Sequence, residues 1–95
     1  RGGGMGGLVG QSKDCWKNVS PKSYLCLYID LAARYIDQSM SSRQNFPLHP
    51  YFEDQQFGER AGGIYNYNNV DMQEANKHLM SAQTKINAAV NKAIR

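Results

Sequence analysis

The strongest constraint in this sequence is a stripe of apolar residues along its C-terminal quarter, which recurs every three or four positions. The stripe consists of Met72, Ala75, Leu79, Ala82, Ile86, Ala89 and Ala93. This spacing places the side chains on one side of an α-helix, whereas a β-strand would alternate its sides at every residue. Asp71 and Glu74 match the pattern of a capping box. We therefore predict a helix over residues 71–94, with a heptad-like seam that packs against another helix.

A second helical pattern begins at Ser20, a favourable N-cap residue, followed by Pro21, which suits the first helical position. Its apolar residues cover two adjoining stripes: Tyr24, Leu25, Leu27, Tyr28, Leu31, Ala32, Tyr35, Ile36 and Met40. We predict a helix over residues 20–42 that packs on more than one side. Asp30 and Arg34, four residues apart, are expected to pair on its exposed strip.

The remaining segments carry signals that interrupt helices. The glycine-rich residues 1–15 are predicted to be flexible. Residues 42–69 contain Pro47, Pro50, adjacent glycines and an asparagine-rich run, which together predict a long loop with one short helix over 50–61. The loop is rich in aromatic residues: we expect Phe46, Phe52 and Phe57 to cap the core, and leave Tyr65 and Tyr67 as residues that could contact a partner.

These patterns predict an all-α fold for the chain of 95 residues. The expected architecture is a small antiparallel helical bundle with a flexible glycine-rich N-terminus and an aromatic-rich central loop. The two long helices are expected to pair antiparallel within a single domain over residues 16–95, since a chain of this length forms one domain at most.

The charge is mildly basic, with a net value of +3 and a pI near 9.0. Lysines concentrate near both ends of the chain, at Lys13, Lys17, Lys22, Lys77 and Lys85, and acidic residues in the middle. Such a distribution predicts attraction to an anionic surface. The alternative is ordinary solubility, together with cations that complete a helix C-terminus. The excess of positive charge is too small to predict nucleic-acid binding.

Catalytic and metal-binding patterns are not found in the sequence. No nucleophile is accompanied by a base in a known motif, and His49 and His78 lack metal-ligand spacing. We expect a non-catalytic protein without a cofactor or metal. Cys15 and Cys26 could form a disulfide, which requires an oxidising compartment, or could remain two free thiols. No run approaches the roughly 20 apolar residues that span a bilayer.

Two stretches of the chain resemble the PsbQ family, the extrinsic proteins on the lumenal side of photosystem II that include the algal PsbQ-prime. The first stretch contains Trp16, Val19, Ser23, Tyr24, Leu25, Tyr28, Asp30 and Leu31, and the second contains Glu74, Ala75, Lys77, Ile86, Asn87 and Lys92. The resemblance covers residues 16–41 and 71–95, about half of the chain. Proteins of this family are up-down four-helix bundles, whereas the periodicity here predicts only two long helices.

The resemblance implies a peripheral subunit in the chloroplast thylakoid lumen that docks on the photosystem II core and stabilises the oxygen-evolving centre. The five lysines named above would then dock on an acidic surface, with Trp16 and nearby tyrosines as a hydrophobic anchor. An alternative is a small accessory subunit of another organellar membrane complex, such as a respiratory one. A third class is a ferritin-like ligand-binding bundle, since Tyr51 to Arg60 is similar to a ferritin helix without the iron ligands.

Overall fold

The computed structural model describes residues 4–20, 22–44 and 49–93 of the chain. It contains four α-helices: α1 (Gly4–Asn18), α2 (Leu25–Gln44), α3 (Asp54–Tyr67) and α4 (Met72–Ala93). A short 3-10 helix, Pro50–Phe52, precedes α3. The described residues form no β-strand, so the all-α prediction is confirmed. Pro21, Phe46, Pro47 and Arg95 lie outside the described residues.

Helices that follow one another in the chain run in opposite directions. The Cys15–Cys26 disulfide joins the end of α1 to the beginning of α2, and Asp30 of α2 pairs with Arg60 of α3. Two reversals of direction separate α2 from α4, so these two longest helices run in the same direction. Tyr28 is hydrogen-bonded to His78, and Tyr35, further along α2, to Asn91, further along α4. The expected antiparallel pairing of these two helices was therefore wrong, because α3 lies between them in the chain order.

Helix α1 occupies a segment that was predicted to be flexible. Glycine weakens a helix by roughly 1 kcal/mol per residue relative to alanine, so the local preference is poor. Val9, Ser12 and Cys15 are nevertheless buried against the rest of the protein. Tertiary packing of one face therefore stabilises a helix that its own sequence does not favour. For residues 4–15 the prediction of a flexible segment was wrong.

The start of α2 also differs from the prediction, since the helix begins at Leu25 rather than near Ser20. The Ser20 hydroxyl accepts a hydrogen bond from the Lys22 amide, and the Ser23 hydroxyl accepts one from the Leu25 amide. Both serines therefore stabilise turns in the connection between α1 and α2. This connection positions Cys26 within reach of Cys15.

Helix α3 is longer than the short helix expected over residues 50–61, and it passes through Gly62 and Gly63 without interruption. Its buried face consists of Phe57, Ala61, Ile64 and Tyr65. These residues follow the helical spacing, so their burial offsets the unfavourable propensity of the two glycines. The helix ends in the asparagine-rich run, where Asn69 adopts a positive φ of 58°, a conformation that asparagine tolerates better than most residues.

Helix α4 agrees most closely with its prediction. The Asp71 carboxylate accepts a hydrogen bond of 2.8 Å from the Glu74 amide, which confirms Asp71 as its N-cap. However, most side chains of the predicted seam are only partly covered by the other helices, or are exposed. Ala82 is its one buried residue among those described, and Met72 is 80% exposed.

The core centres on α2 and contains a buried ion pair. The large members of its main cluster are Leu27, Leu31, Phe57, Ile64 and Tyr65. A second cluster joins Val9, Ala33 and Phe52. Phe52 and Phe57 are both buried, which confirms the role predicted for them.

Asp30 is fully buried between α1, α2 and α3. Its carboxylate accepts hydrogen bonds from both Nε and Nη2 of Arg60, and from Nε1 of Trp16 at 3.0 Å. Arg34 instead donates to the Phe52 carbonyl oxygen and to Asp54. The predicted pairing of Asp30 with Arg34 on an exposed strip was therefore wrong, because the side of α2 that bears Asp30 is covered by α1 and α3.

Candidate docking surface

The lysines of α4 form a single basic strip. Lys77, Lys85 and Lys92 are exposed, and their spacing of eight and seven residues returns them to the same side of the helix, within roughly 80°. The ion pairs between described residues use Arg34 and Arg60. The three ammonium groups, which we call the basic strip, therefore remain available to an anionic partner.

The other lysines predicted as docking residues lie near α1. Lys13 and Lys17 are exposed on α1 and four residues apart, so they share one side of that helix. The Lys13 Nζ lies 5.6 Å from the centroid of the Tyr51 ring, which gives it a cation–π contact within the protein. Lys22 is exposed in the connection to α2.

The aromatic residues predicted as contacts separate into buried and exposed ones. Tyr65 is only 5% exposed and belongs to the main core cluster, so its assignment as a partner contact was wrong. Trp16 packs against the same cluster, and its indole nitrogen donates to Asp30. Its half-buried ring is therefore mainly a structural element. Tyr67 is 53% exposed, and its role as a partner contact stays a prediction.

Cys15 and Cys26 form a disulfide in the structure, with their Cα atoms 5.5 Å apart. Both residues are buried, at 7% and 2% exposure. Of the two alternatives that the sequence left open, the structure adopts the cross-link rather than two free thiols. The disulfide attaches the glycine-rich α1 directly to the central helix α2.

A cluster of aromatic rings joins α3 and α4 to the N-terminal end of α2. The His78 imidazole lies between two phenols: its Nδ1 is 2.6 Å from the Tyr65 Oη and its Nε2 is 3.1 Å from the Tyr28 Oη. Tyr24 packs on the same imidazole, with ring centroids 4.6 Å apart. A neutral imidazole has one donor and one acceptor nitrogen, so one phenol donates to His78 and the other accepts from it. His78 thereby connects three helices.

Burial raises the pKa of the Tyr65 phenol from 10.0 to about 12, with smaller contributions from the neighbouring phenols of Tyr24 and Tyr28. The folded protein therefore holds the Tyr65 proton more strongly than the unfolded chain does. Stability from this group is fully present below pH 10 and is lost as the pH rises through about 12.

Replacing Tyr65 with phenylalanine is expected to lower the free energy of unfolding by about 1 kcal/mol at pH 9, because the hydrogen bond to His78 is lost. The difference from the wild type should shrink between pH 9 and pH 11, since only the wild type carries the raised phenol pKa. Urea unfolding at both pH values tests this expectation. Tyr67→Phe, on the exposed side of the same helix, is the matched control. It should leave the free energy of unfolding unchanged at both pH values. A wild-type advantage that stays constant or grows by pH 11 contradicts the assignment.

Two apolar grooves lie on either side of α4. The first lies between α2 and α4, has a volume of about 400 Å3 and is lined by Tyr28, His78, Ser81, Ala82, Lys85 and Ile86. We call it the α2–α4 groove. The second is lined mainly by small and apolar residues of α3 and α4, among them Gly58, Ala61, Gly62, Met72, Ala75 and Leu79. Both grooves exist because the seam of α4 is incompletely covered.

The sequence did not single out the residues that organise this side of the protein. His78 fits no metal-ligand pattern, and Tyr28 entered the predictions only as a residue of the apolar stripes and of the stretch that resembles the PsbQ family. The spacing carried a partial signal, since Tyr24, directly before α2, and Tyr28, on α2, are four residues apart, and His78 is four residues before Ala82 on α4. Nothing in either pattern indicated that the two helices would bring these side chains together.

The described residues contain no group of three or more His, Cys, Asp or Glu side chains that could hold a metal ion. Within the described part of the chain, every helix is too short or too polar to be a membrane-spanning segment. Comparisons with protein-family models, with curated proteins and with solved structures found no match to this chain.

Proposed function

We propose that this protein is a non-catalytic extrinsic subunit that docks on the lumenal face of photosystem II and stabilises the oxygen-evolving centre. The observation that carries the proposal is the basic strip on α4, three exposed lysines on one side of a helix. Complementary charge between protein surfaces accelerates association and fixes orientation. A strip of this kind suits an acidic surface on a larger complex.

Two further features support the proposal. The chain carries the residues described above as similar to the PsbQ family, and the four helices of its described part follow one another in alternating directions, as the resemblance implies. The buried Cys15–Cys26 disulfide fits a compartment in which thiols are not kept reduced. A lumenal location is compatible with that requirement.

The role of the basic strip leads to a quantitative expectation. Replacing Lys77, Lys85 and Lys92 together with glutamine should weaken binding to salt-washed photosystem II membranes about tenfold, since each exposed charge pair contributes roughly 0.2–1 kcal/mol. The salt dependence of binding should also become flatter. Bound protein is measured against protein concentration at low and high ionic strength.

The matched control replaces the same three lysines with arginine, which keeps the charge and the helical preference. This variant should bind with nearly wild-type affinity. If the glutamine variant binds as tightly as the arginine variant at low salt, the basic strip does not dock the protein. Circular dichroism of both variants should match the wild type, because the lysines are exposed.

A further inference from the structure

The α2–α4 groove combines an apolar interior with a single charged side chain. Ala82 is buried and Ile86 half-buried, and together with the ring of Tyr28 they provide apolar surface. Among the described residues that line the groove, Lys85 is the one that carries a charge, and it is exposed. None of these described lining residues is acidic. The ammonium group is thus available beside an apolar surface.

The polar groups around the groove are only partly used within the protein. His78 and Tyr28 are hydrogen-bonded to each other, which holds that wall in place. Ser81 and Lys85 are both exposed, four residues apart on α4. Spaced by one helical turn, they present a hydroxyl donor and an ammonium donor on the same side of the helix. This arrangement suits an anion with several acceptor oxygens.

We propose that the α2–α4 groove binds a partner segment in which an apolar residue is followed directly by a glutamate or aspartate. The apolar side chain would enter the groove against Ala82 and Ile86, and the carboxylate would accept hydrogen bonds from Lys85 and Ser81. The groove volume of about 400 Å3 is ample for one leucine or phenylalanine side chain with its backbone. This inference rests on the proposed docking function, because it specifies the chemistry that the partner must present.

The charge of the groove decides between partner chemistries. A basic segment would bring its cation close to Lys85 with no acidic lining residue to compensate it. A purely apolar segment would offer no hydrogen-bond acceptor to the Lys85 ammonium or the Ser81 hydroxyl. An acidic residue beside an apolar one satisfies both parts of the site, and repulsion between like charges disfavours basic partners.

Short peptides test this inference on the intact protein. The probe is acetyl-Gly-Leu-Glu-Gly-amide, and its controls replace Leu with Gly or Glu with Gln. NMR titration should shift the amide signals of Ser81, Lys85 and Ile86 with the probe. Each control peptide should bind about two- to fivefold more weakly, the range expected for one exposed charge pair and for a small apolar contact.

A pair of protein variants locates the charge. Lys85→Gln should reduce binding of the Glu peptide to that of the Gln peptide, and by more than Lys92→Gln, which removes the same charge on the same helix outside the groove lining. Equal binding of the Glu and Gln peptides, or shifts confined to other parts of the protein, would overturn the inference. Tighter binding of octanoate than of the probe would also overturn it, because the groove would then serve a small amphiphile. Concentration-dependent dimerisation through the groove would also overturn the inference, because a second copy of this protein would then occupy the groove.

The same variants separate this inference from the proposed function. If the peptide binds in the groove but the protein does not bind photosystem II membranes, the photosystem II assignment fails and the groove chemistry stands. The opposite outcome is that the protein binds the membranes, that Lys85→Gln binds them as well as Lys92→Gln does, and that the peptide shifts no signals in the groove. In that case the groove inference fails and the photosystem II proposal stands.

Discussion

Replacing Asp30 with asparagine is expected to lower the free energy of unfolding by about 3–5 kcal/mol, because the substitution leaves a buried cation unpaired. The change keeps the size of the side chain but removes the charge that balances the Arg60 guanidinium. Asp30 is fully buried and also accepts the indole N–H of Trp16. The variant would leave Arg60, whose side chain is only 16% exposed, without its counterion. Urea unfolding at pH 7 measures the loss.

The other ion pair between described residues supplies a matched control. Asp54 pairs with Arg34, but the Asp54 side chain is 95% exposed. Asp54→Asn makes the same chemical change and should cost less than about 1 kcal/mol. Removing both buried charges, with Asp30→Asn and Arg60→Met, should recover part of the loss, because no buried charge is then left unpaired. Similar losses for Asp30→Asn and Asp54→Asn would contradict the role assigned to the buried pair.

Reducing the Cys15–Cys26 disulfide is expected to lower the free energy of unfolding by about 2–4 kcal/mol, since the bond closes a loop between residues 11 apart in the sequence. The effect should concentrate in α1, because its glycine-rich sequence has little helical preference of its own. Hydrogen exchange in the presence of a phosphine reductant should show α1 amides losing protection before those of α3.

A variant in which both cysteines are serine separates the bond from the reductant. Its stability should be close to that of the reduced wild type and should not respond to the reductant at all. Unchanged protection of α1 after complete reduction would show that packing of Val9 and Ser12 is sufficient to hold the helix. In that case the disulfide would not be what attaches α1 to α2.

The sequence predicts α4 well and α1 poorly for one physical reason. In α4 the local preference, the Asp71 cap and the apolar spacing all favour a helix. In α1 the glycines oppose it, and the favourable terms are burial and a cross-link that come only with the folded protein. The spacing of Val9, Ser12 and Trp16 has a helical period. The surrounding glycines lower the helical preference of the segment, so this period did not lead to the prediction of a helix.

The exposed part of the docking surface could be predicted, whereas its interior could not. Lysines are seldom buried, so expecting exposed charges at Lys77 and Lys85 needed no knowledge of the fold. Tyr65 and Asp30 are polar residues whose burial depends on partners distant in the sequence, His78 and Arg60. Helix α3 carries one member of each pair, so its direction relative to α2 and α4 decides which of these groups meet. The sequence did not indicate the full length of α3.

The most direct test of the central claim is reconstitution of function on photosystem II membranes. The purified, oxidised protein is added to membranes that have been washed with salt to remove extrinsic subunits, and oxygen evolution is followed at low calcium and chloride. The proposal predicts saturable binding that weakens with ionic strength, together with recovered oxygen evolution. The absence of binding to membranes that still accept their own extrinsic proteins would contradict the proposal and favour an accessory subunit of another organellar complex.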